Sequence, residues 1–494
     1  MLELRAFSEI VIKPPSTDSL FLSTHDERLT YANFIARVGG TVAILGDLFK
    51  RRQTVVFVLC ENSAALVITL FALNYLAQVI VLLFPGYAPE ELRALYGEYK
   101  PSLVIADKRF HPLFSSLGAR LLSFEELARA QPAALPEIRH SHDDACFILF
   151  TSGARGAAKG VVLTNGNVLA NVLGIQSYMR ASANERCLIT RSLTHASALV
   201  GELLLTGLTG GTCVLRWAPK TIRRLFEWCE SEAITWMGVS PALLKLVVDY
   251  GTAHNCPIHA RRIVVSGSIL TPELCLAFLV TFPRTELINA YGLTEASPRV
   301  TYLPPDLARV KPGSVGHPIA GCRIRLINKS GTECRPGEVG EIEVAGRNVM
   351  RGYFPHGLRR TRGRRAAWLK TGDSGYRDDD GALFVLGRID TMFVHNGLNI
   401  YPEYVAAVFE KCPVVRRAEI VHLEHARFTK TLFAFVELNS EVSAHCAINK
   451  IRDHLTENLD TRKHPDEIVI VPSFPLTPSG KIDVKKLLEN YLRT

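Results

Sequence analysis

Several common sequence signals are missing from this chain of 494 residues, and each absence argues against a class of protein. The eleven cysteines form no C-x-x-C pair and no Cys/His arrangement with zinc-ligand spacing, which argues against a zinc site and favours a reduced, cytoplasmic location. No lysine and arginine run is interleaved with aromatic residues, so nucleic-acid binding is disfavoured. The first fifteen residues lack the apolar stretch of a signal peptide, and export is not expected.

A long segment without charge requires a choice between two interpretations. Residues 66–84 carry no charged side chain over about the length that a transmembrane helix needs. Asn74 and Gln78 interrupt this run, however, and Pro85 follows it. We therefore predict a buried helix followed by a core strand and a turn, with no membrane span.

Length and composition indicate a globular protein of more than one domain. A single core stops growing near roughly 250 to 300 residues, so this chain is expected to divide. Hydrophobic residues make up 47% and charged residues 21% of the sequence, which is typical of globular proteins. The formal net charge of +9 suits polyanionic small molecules, such as nucleotides, or an acidic protein partner.

The order of predicted elements indicates the α/β fold class. Helices and strands alternate through the first half, short strands and turns follow from Gly313, and a small α+β unit begins after Gly387. We expect a large N-terminal domain, 1–389, of layered α/β subdomains with a β-rich subdomain, and a small C-terminal domain, 390–494. The predicted strands are 54–59, 79–84, 102–106, 147–150, 161–163, 187–190, 212–215, 234–239, 262–266, 323–328, 341–345, 418–423, 432–438 and 467–471. The predicted helices are 63–76, 89–99, 221–232, 241–250, 402–411 and 447–455.

A loop rich in small residues joins two of these strands and is the first candidate site. Its hydroxyls, glycines and cations are the ingredients of an anion-binding concavity, with a triphosphate as the natural ligand. A flexible connection without a ligand is the alternative, and composition alone does not separate the two. A Walker-type P-loop is disfavoured because no Ser or Thr follows the lysine. The residues concerned are Thr151, Ser152, Gly153, Arg155, Gly156, Lys159 and Gly160.

The loop sequence TSGARGAAKG resembles the signature loop of the adenylate-forming enzymes, the superfamily of acyl-CoA synthetases, luciferases and nonribosomal peptide adenylation domains. Ala154 and Ala158 stand where the family has a hydroxyl residue and a proline. Three further segments resemble family motifs in the family's order, so the resemblance covers nearly the whole chain. It implies ATP and Mg²⁺ as cofactors and a small C-terminal domain that moves.

The segment NAYGLTEAS at 289–297 resembles the family's Y-G-x-T-E motif. Tyr291 can stack on a purine, Thr294 can donate to phosphate, and Glu295 can hold magnesium. In isolation the same residues could be a core tyrosine and a capped helix start. The resemblance also implies nucleotide contacts from Gly267, Ser268, Asn289, Ala290 and Gly292.

Two charged residues before the predicted domain boundary also match family positions. The resemblance implies that Asp373 binds the ribose hydroxyls, that Arg388 pairs with ribose or phosphate oxygens, and that Asp390 is the hinge between domains. Without the resemblance, Asp373 and Arg388 would be interpreted as charged residues of two turns that flank a hairpin.

The resemblance further implies three positions for the acid and the acceptor. Lys481 would be the catalytic lysine, bridging the acyl carboxylate and the α-phosphate. His195 would lie near the carboxylate at the start of a helix that lines the acyl cavity, although such a histidine can be a plain cap. Gly397 would let a pantetheine arm pass. Trp236, Met237, Gly238, Ser266 and Gly292 would form the other walls of the cavity.

These expectations define an AMP-forming acid–thiol ligase that converts a carboxylic acid to an acyl adenylate and transfers it to a thiol. CoA is the preferred acceptor, and a carrier-protein phosphopantetheine or an amine is the alternative. A nucleotide-binding homologue without turnover is a further alternative, motivated by Ala154 and Ala158. The sequence does not reveal which acid is used.

Overall fold

The computed structural model describes residues 4–11, 16–137, 140–151, 159–217, 219, 221–358, 368–395, 398–423, 432–439, 443–459, 461–477 and 482–492. Its strands are β1 Leu20–Ser23, β2 Arg28–Thr30, β3 Val55–Leu59, β4 Val79–Leu83, β5 Leu103–Ala106, β6 Leu121–Ser123, β7 Ala145–Phe150, β8 Gly160–Thr164, β9 Arg186–Ile189, β10 Thr212–Leu215, β11 Trp236–Val239, β12 Arg262–Val265, β13 Glu286–Gly292, β14 Arg299–Leu303, β15 His317–Pro318, β16 Cys322–Ile327, β17 Gly340–Gly346, β18 Gly352–Tyr353, β19 Leu369–Arg377, β20 Leu383–Arg388, β21 Phe393–His395, β22 Leu398–Ile400, β23 Val415–His422, β24 Leu432–Leu438 and β25 Glu467–Val471.

The α-helices are α1 Tyr31–Gly46, α2 Ala64–Tyr75, α3 Pro89–Tyr99, α4 His111–Ser115, α5 Phe124–Leu127, α6 Asn165–Met179, α7 Ala196–Ala198, α8 Leu205–Thr209, α9 Ile222–Ser231, α10 Pro241–His254, α11 Pro272–Thr281, α12 Pro402–Phe409, α13 Ala444–Asn458 and α14 Val484–Leu492. A π-helical stretch, Leu199–Leu204, joins α7 to α8. Short 3₁₀ turns occur at Phe7–Val11, Lys108–Phe110, Thr294–Ala296, Pro305–Leu307, His356–Leu358 and Thr461–Lys463.

Two large sheets form the N-terminal part. One has nine strands in the order β15-β14-β13-β12-β11-β9-β10-β1-β2, and the other has seven in the order β18-β8-β7-β4-β3-β5-β6. Each sheet is parallel in its centre and antiparallel at one or both edges. The largest apolar core contains Phe71 of α2, Phe147 of β7 and Ile189 of β9, so it joins both sheets through the helices between them. The predicted α/β fold class is thereby confirmed.

The uncharged segment divides as predicted. Helix α2 begins after Ser63, whose side chain accepts a hydrogen bond from the Leu66 amide, and nearly all of its residues are buried. The chain then turns and enters β4, whose five residues are all buried. Among the helices that the structure describes, none is long and apolar enough to cross a membrane.

Three smaller sheets follow in the rest of the described chain, and the shortest of them pairs only β21 with β22. Strands β16, β17, β19 and β20 form an antiparallel sheet, as the change to short strands after Gly313 predicts. Farther along, β23, β24 and β25 form a mixed sheet whose core includes Phe409 of α12 and Ile451 of α13. This is the α+β unit expected at the C-terminus.

Candidate active site

Strands β7 and β8 form a hairpin that holds the two ends of the signature loop together. The Thr151 amide donates to the Lys159 carbonyl at 3.2 Å, which closes the base of the loop. At Gly160, an added Cβ would lie 2.2 Å from the Tyr99 hydroxyl, so only glycine fits there. The remaining predicted loop residues, Ser152, Gly153, Arg155 and Gly156, lie outside the described residues.

Tyr353 contacts both Lys159 and Glu295 and holds these two side chains close together. The sequence motifs do not identify Tyr353. The Lys159 ammonium lies 5.4 Å from the centre of the Tyr353 ring, and the Tyr353 hydroxyl donates to Glu295 Oε1 at 2.9 Å. Burial and the neighbouring Glu295 carboxylate raise the pKa of Tyr353, which keeps its hydroxyl a donor. Strand β18 positions Tyr353 by pairing it with Val161 of β8.

A backbone hydrogen bond also holds Glu295 in position. Its carbonyl accepts from the Met350 amide at 2.7 Å, while Thr294 and Glu295 form the start of a half-buried 3₁₀ turn after β13. No cluster of three or more metal-ligating side chains occurs among the described residues. A single carboxylate is nevertheless suited to magnesium that is already bound to phosphates, because Mg²⁺ usually takes one or two protein carboxylates there.

A second group joins Tyr291, Asp373 and Arg388. The Tyr291 hydroxyl donates to Asp373 Oδ2 at 2.5 Å, and Arg388 Nη1 donates to Asp373 Oδ1 at 3.4 Å and to the Thr371 carbonyl at 3.0 Å. Asp373 and Arg388 face each other across β19 and β20. Burial raises the pKa of the Asp373 carboxyl, while Tyr291 and Arg388 oppose this rise.

Asp390 extends this group toward the predicted hinge. Its carboxylate accepts from Arg388 Nε at 3.0 Å. Burial acts to lower the pKa of Arg388, but the contacts with Asp390 and Asp373 raise it, so the guanidinium remains charged. Arg388 thus links Asp373 to the residue at which the sequence places the domain boundary.

The other predicted nucleotide residues lie in or just after β12 and β13, which are neighbouring strands of the nine-stranded sheet. Gly267 and Ser268 are exposed directly after β12, and Gly267 has a φ of +102°, which favours glycine. Asn289 and Ala290 are buried in β13, and the Asn289 amide donates to the Ser314 carbonyl at 2.8 Å. The structure therefore gives Asn289 a supporting contact, and its contact with a nucleotide stays a prediction.

Of the three residues predicted to act on the acid and the acceptor, His195 lies in the described part of the chain, and the other two do not. His195 is exposed at the residue before α7, where its carbonyl accepts from the Ala198 and Leu199 amides. Lys481 and Gly397 both lie outside the described residues, and their roles stay predictions. Leu476 and Ile482 form a bridge on either side of the lysine position.

One predicted wall residue of the acyl cavity is wrong. Met237 packs into the core on one face of β11, whereas Trp236 and Gly238 point to the opposite face. The cause is the two-residue alternation of a strand, which cannot place three consecutive side chains in one cavity. Ser266 and Gly292 do lie beside the face of Trp236 and Gly238, since Ser266 contacts Arg191 and Gly292 pairs with Arg299.

Comparison with known proteins decides the family. A family model described as "AMP-binding enzyme" matches residues 11–354, and one described as "AMP-binding enzyme C-terminal domain" matches residues 404–481. The chain belongs to the AMP-binding enzyme family. The predicted family is confirmed, although neither match tests the predicted boundary at residue 390.

Relatives of this AMP-binding enzyme include several CoA ligases. A 2-succinylbenzoate–CoA ligase from Bacillus licheniformis is 28% identical over 95% of this chain and 96% of its own. An indoleacetate–CoA ligase from Aromatoleum aromaticum is 27% identical over 93% of each chain. Among solved structures, o-succinylbenzoate CoA synthetase from Bacillus subtilis, in complex with its acyl-adenylate intermediate, superposes with a TM-score of 0.86. It is 25% identical and covers 99% of this chain and 98% of its own.

Proposed function

We propose that this AMP-binding enzyme is an acid–CoA ligase that acts in two steps. The observation that carries the proposal is the convergence of Lys159, Glu295, Asp373 and Arg388 from three separate segments. Tyr353 contacts both Lys159 and Glu295, Arg388 pairs with Asp373, and the Glu295 carboxylate is near enough to act electrostatically on both members of that pair. These residues supply positive charge for phosphates, a carboxylate for magnesium and a carboxylate for ribose hydroxyls. The CoA ligases among the relatives support the choice of CoA as the acceptor.

In the first step, an oxygen of the acid carboxylate attacks the α-phosphorus of ATP, the bond to the bridging oxygen breaks, and pyrophosphate leaves. In the second, the CoA thiol loses its proton, its sulfur attacks the acyl carbon, and AMP leaves with the acyl oxygen. Both steps develop negative charge on oxygen, so fixed cations near those atoms lower the barrier. Magnesium supplies further charge neutralisation at the phosphates.

The described residues divide this work by position. Lys159 and the signature loop hold the β- and γ-phosphates, and Glu295 would hold a magnesium ion beside them. Tyr353 keeps Lys159 and Glu295 close together, since it contacts both. Asp373 accepts from the ribose hydroxyls, and Arg388 holds the Asp373 carboxylate in place.

The C-terminal domain completes the site and moves between the two steps. We place its start at Asp390, with Lys481 serving adenylation and Gly397 lining the path of the pantetheine arm. In the structure, Lys411 of this part forms an ion pair with Glu273 of α11 at 2.9 Å, and the Ser374 hydroxyl donates to the Tyr401 hydroxyl at 3.0 Å. These are polar contacts, which a hinge motion can break at low cost.

The test is a reaction of the enzyme with ATP, Mg²⁺ and a panel of short-chain, long-chain and aromatic acids, with CoA or hydroxylamine as acceptor. We expect AMP and pyrophosphate in equal amounts and an acyl-CoA that mass spectrometry detects. Formation of a hydroxamate without any acyl-CoA would reject CoA as the acceptor and favour a carrier protein or an amine. The absence of AMP with every acid would favour the nucleotide-binding alternative.

The location of the enzyme is proposed on sequence grounds. The eleven cysteines, all of which lie in described parts of the chain, are free thiols. Such a composition is suited to the reducing cytoplasm, which is the location we propose.

A further inference from the structure

A cluster of charged side chains with little exposure lies beside the Tyr291 motif, because Arg299 pairs with Gly292 of that motif. It is built from Arg191, Glu202 and Arg299. Glu202 lies in the π-helical stretch Leu199–Leu204, and Arg299 begins β14, where it pairs with Gly292. Arg191 forms an ion pair with Glu202, and its Nη1 lies 3.5 Å from the Ser266 hydroxyl. A π-helical turn inside a helix is often found at a functional site.

The cluster is incomplete as a set of hydrogen bonds. Among the described residues, no partner exists for three of its buried polar atoms, nor for one polar atom each of the neighbouring Trp236 and Tyr178. Buried polar groups are normally paired, because an unpaired one destabilises the fold, so a group of five requires an explanation. The atoms are Arg191 Nε, Glu202 Oε2, Arg299 Nη1, Trp236 Nε1 and Tyr178 Oη.

The cluster also carries an excess of positive charge. Arg191 and Arg299 both act on Glu202 electrostatically, but only Arg191 is paired with it. No carboxylate among the described residues lies within ion-pair distance of the Arg299 guanidinium, although Arg299 is 4% exposed. A buried and unpaired charge is costly, so an anionic partner from outside the chain would stabilise this arrangement.

A glycine makes room for the ion pair of this cluster. At Gly238, an added Cβ would lie 2.1 Å from Glu202 Oε1 and 2.5 Å from Arg191 Nη2. The absence of a side chain at Gly238 therefore leaves the space that the Arg191–Glu202 ion pair occupies.

A gap between side chains brings the cluster next to Trp236, one of the residues predicted to line the acyl cavity. This gap is lined by Tyr178, Gly201, Glu202, Trp236 and Arg299, together with apolar side chains. It is too narrow for a water molecule, so water inside it cannot satisfy the polar atoms of Tyr178, Glu202, Trp236 and Arg299 in this arrangement. A ligand enters only when side chains move apart, and the unbranched Met179 at its edge is suited to that.

We propose that the acid activated by this enzyme carries a second anionic group, and that Arg299 binds it. The proposal rests on the proposed function, because it takes the reacting carboxylate to lie at the edge of the Tyr291 motif and the second group to lie deeper. Arg299 is then a specificity-determining residue, with Trp236 and Tyr178 as further donors. The substrate class is a dicarboxylic acid or a carboxylic acid with another acidic oxygen group.

The experiment compares acids in pairs that differ only in the second carboxylate, namely hexanoate against adipate and phenylacetate against homophthalate. AMP formation is measured with the wild type, Arg299→Met and the matched control Arg347→Met, which removes an exposed arginine. We expect the wild type to prefer the diacid of at least one pair by at least about tenfold in kcat/KM. Arg299→Met should abolish this preference through a higher KM for the diacid, while Arg347→Met retains it.

Several outcomes would overturn the proposal. One is a wild type that prefers both monoacids, and another is an Arg299→Met variant that loses activity equally with both members of a pair, as expected if Arg299 binds the reacting carboxylate. ATP binding by calorimetry shows whether each variant is folded. If no acid yields AMP, the proposed function fails, and the inference is tested separately by titrating the four acids against tryptophan fluorescence. Saturable binding of a diacid that Arg299→Met abolishes supports the inference, and no binding by any of the acids contradicts it.

Discussion

The two halves of the candidate active site differ in how their buried polar groups are satisfied. On the nucleotide side, Asp373 and Glu295 have hydrogen-bond donors from the chain itself, namely Tyr291, Arg388 and Tyr353. On the acid side, the cluster of Arg191, Glu202 and Arg299 and the neighbouring Trp236 and Tyr178 have five polar atoms without partners in the described chain. The nucleotide half is therefore organised before its ligand binds, whereas the acid half depends on its ligand for completion.

This difference has a consequence for how each half responds to mutation. A preorganised site loses affinity when a supporting residue is removed, because its groups are no longer held in place. An incomplete site gains its partners only from the correct substrate, so removal of a charge there changes substrate preference more than nucleotide binding. The following predictions use these two responses.

The largest expected effect is that of Lys481→Ala. Loss of a cation at the position where charge develops should lower kcat for adenylation by about 100- to 1,000-fold, since single electrostatic contacts of this kind have that magnitude. ATP affinity should change little, because we propose that Lys159 and the signature loop hold the β- and γ-phosphates. Acid-dependent AMP formation and ATP calorimetry measure the two quantities. Equal loss of both would contradict the separate roles of the two lysines.

A smaller effect is expected from Asp373→Asn. The variant loses the carboxylate that Tyr291 and Arg388 support and that we propose accepts from the ribose hydroxyls, and hydrogen bonds to charged groups contribute about 1.5–3 kcal/mol. We expect the Kd of ATP to rise about tenfold or more, with an unchanged preference between paired acids. Asp379→Asn, at an exposed position of the same segment, is the control. A Kd that matches the control would remove Asp373 from the nucleotide site.

Tyr353→Phe should have a modest effect. It removes one hydrogen bond to Glu295 but keeps the ring beneath Lys159, so the loss corresponds to about 0.5–1.5 kcal/mol, or about two- to tenfold in kcat. The effect should be larger at low Mg²⁺ concentration, because Glu295 is then less well oriented for the metal. A Mg²⁺ titration of both enzymes checks this, and identical curves would contradict the role of Tyr353.

The smallest expected effect is on the pH dependence of stability, and it comes from Glu202 in the acid half. Burial raises the pKa of the Glu202 carboxyl above its unfolded value, although Arg191 and Arg299 oppose the rise. A raised carboxyl pKa stabilises the folded protein at low pH, and that contribution is lost as the pH rises from the ordinary carboxyl range through the raised value. Urea unfolding at pH 5 and pH 8 should show a smaller fall in stability for Glu202→Gln than for the wild type. Equal falls in the two proteins would show that Glu202 does not titrate as described.

Much of the fold and of the nucleotide half could be predicted from the sequence, because both depend on local patterns. The apolar runs of β3, β4 and β10 and the helix α3 were located to within one residue at most of their ends. Each of four site residues lies in a short motif that can be recognised from the local sequence alone. They are Lys159, Tyr291, Asp373 and Arg388. Tyr353 could not be found in this way, since its importance comes from the pairing of β18 with β8, far away in the chain.

The acid half was the less predictable, for physical reasons. Glu202 is the single acidic residue within the apolar run 196–205, and that isolated charge was the one available signal. Its pairing with Arg191 and its proximity to Arg299 depend on three separate elements meeting in space. The sequence predicts Met237 in the cavity wall together with Trp236 and Gly238 at the end of a strand, but strand alternation directs its side chain into the opposite core.

The most direct test of the account is the acid-dependent exchange of labelled pyrophosphate into ATP in the absence of CoA. An enzyme that forms an acyl adenylate catalyses this exchange, because the first step is reversible while the adenylate remains bound. We predict exchange with wild-type enzyme and a suitable acid, none without acid, and at least about a 100-fold lower rate in Lys481→Ala. Consumption of ATP to ADP, or exchange that does not require any acid, would contradict the proposed reaction.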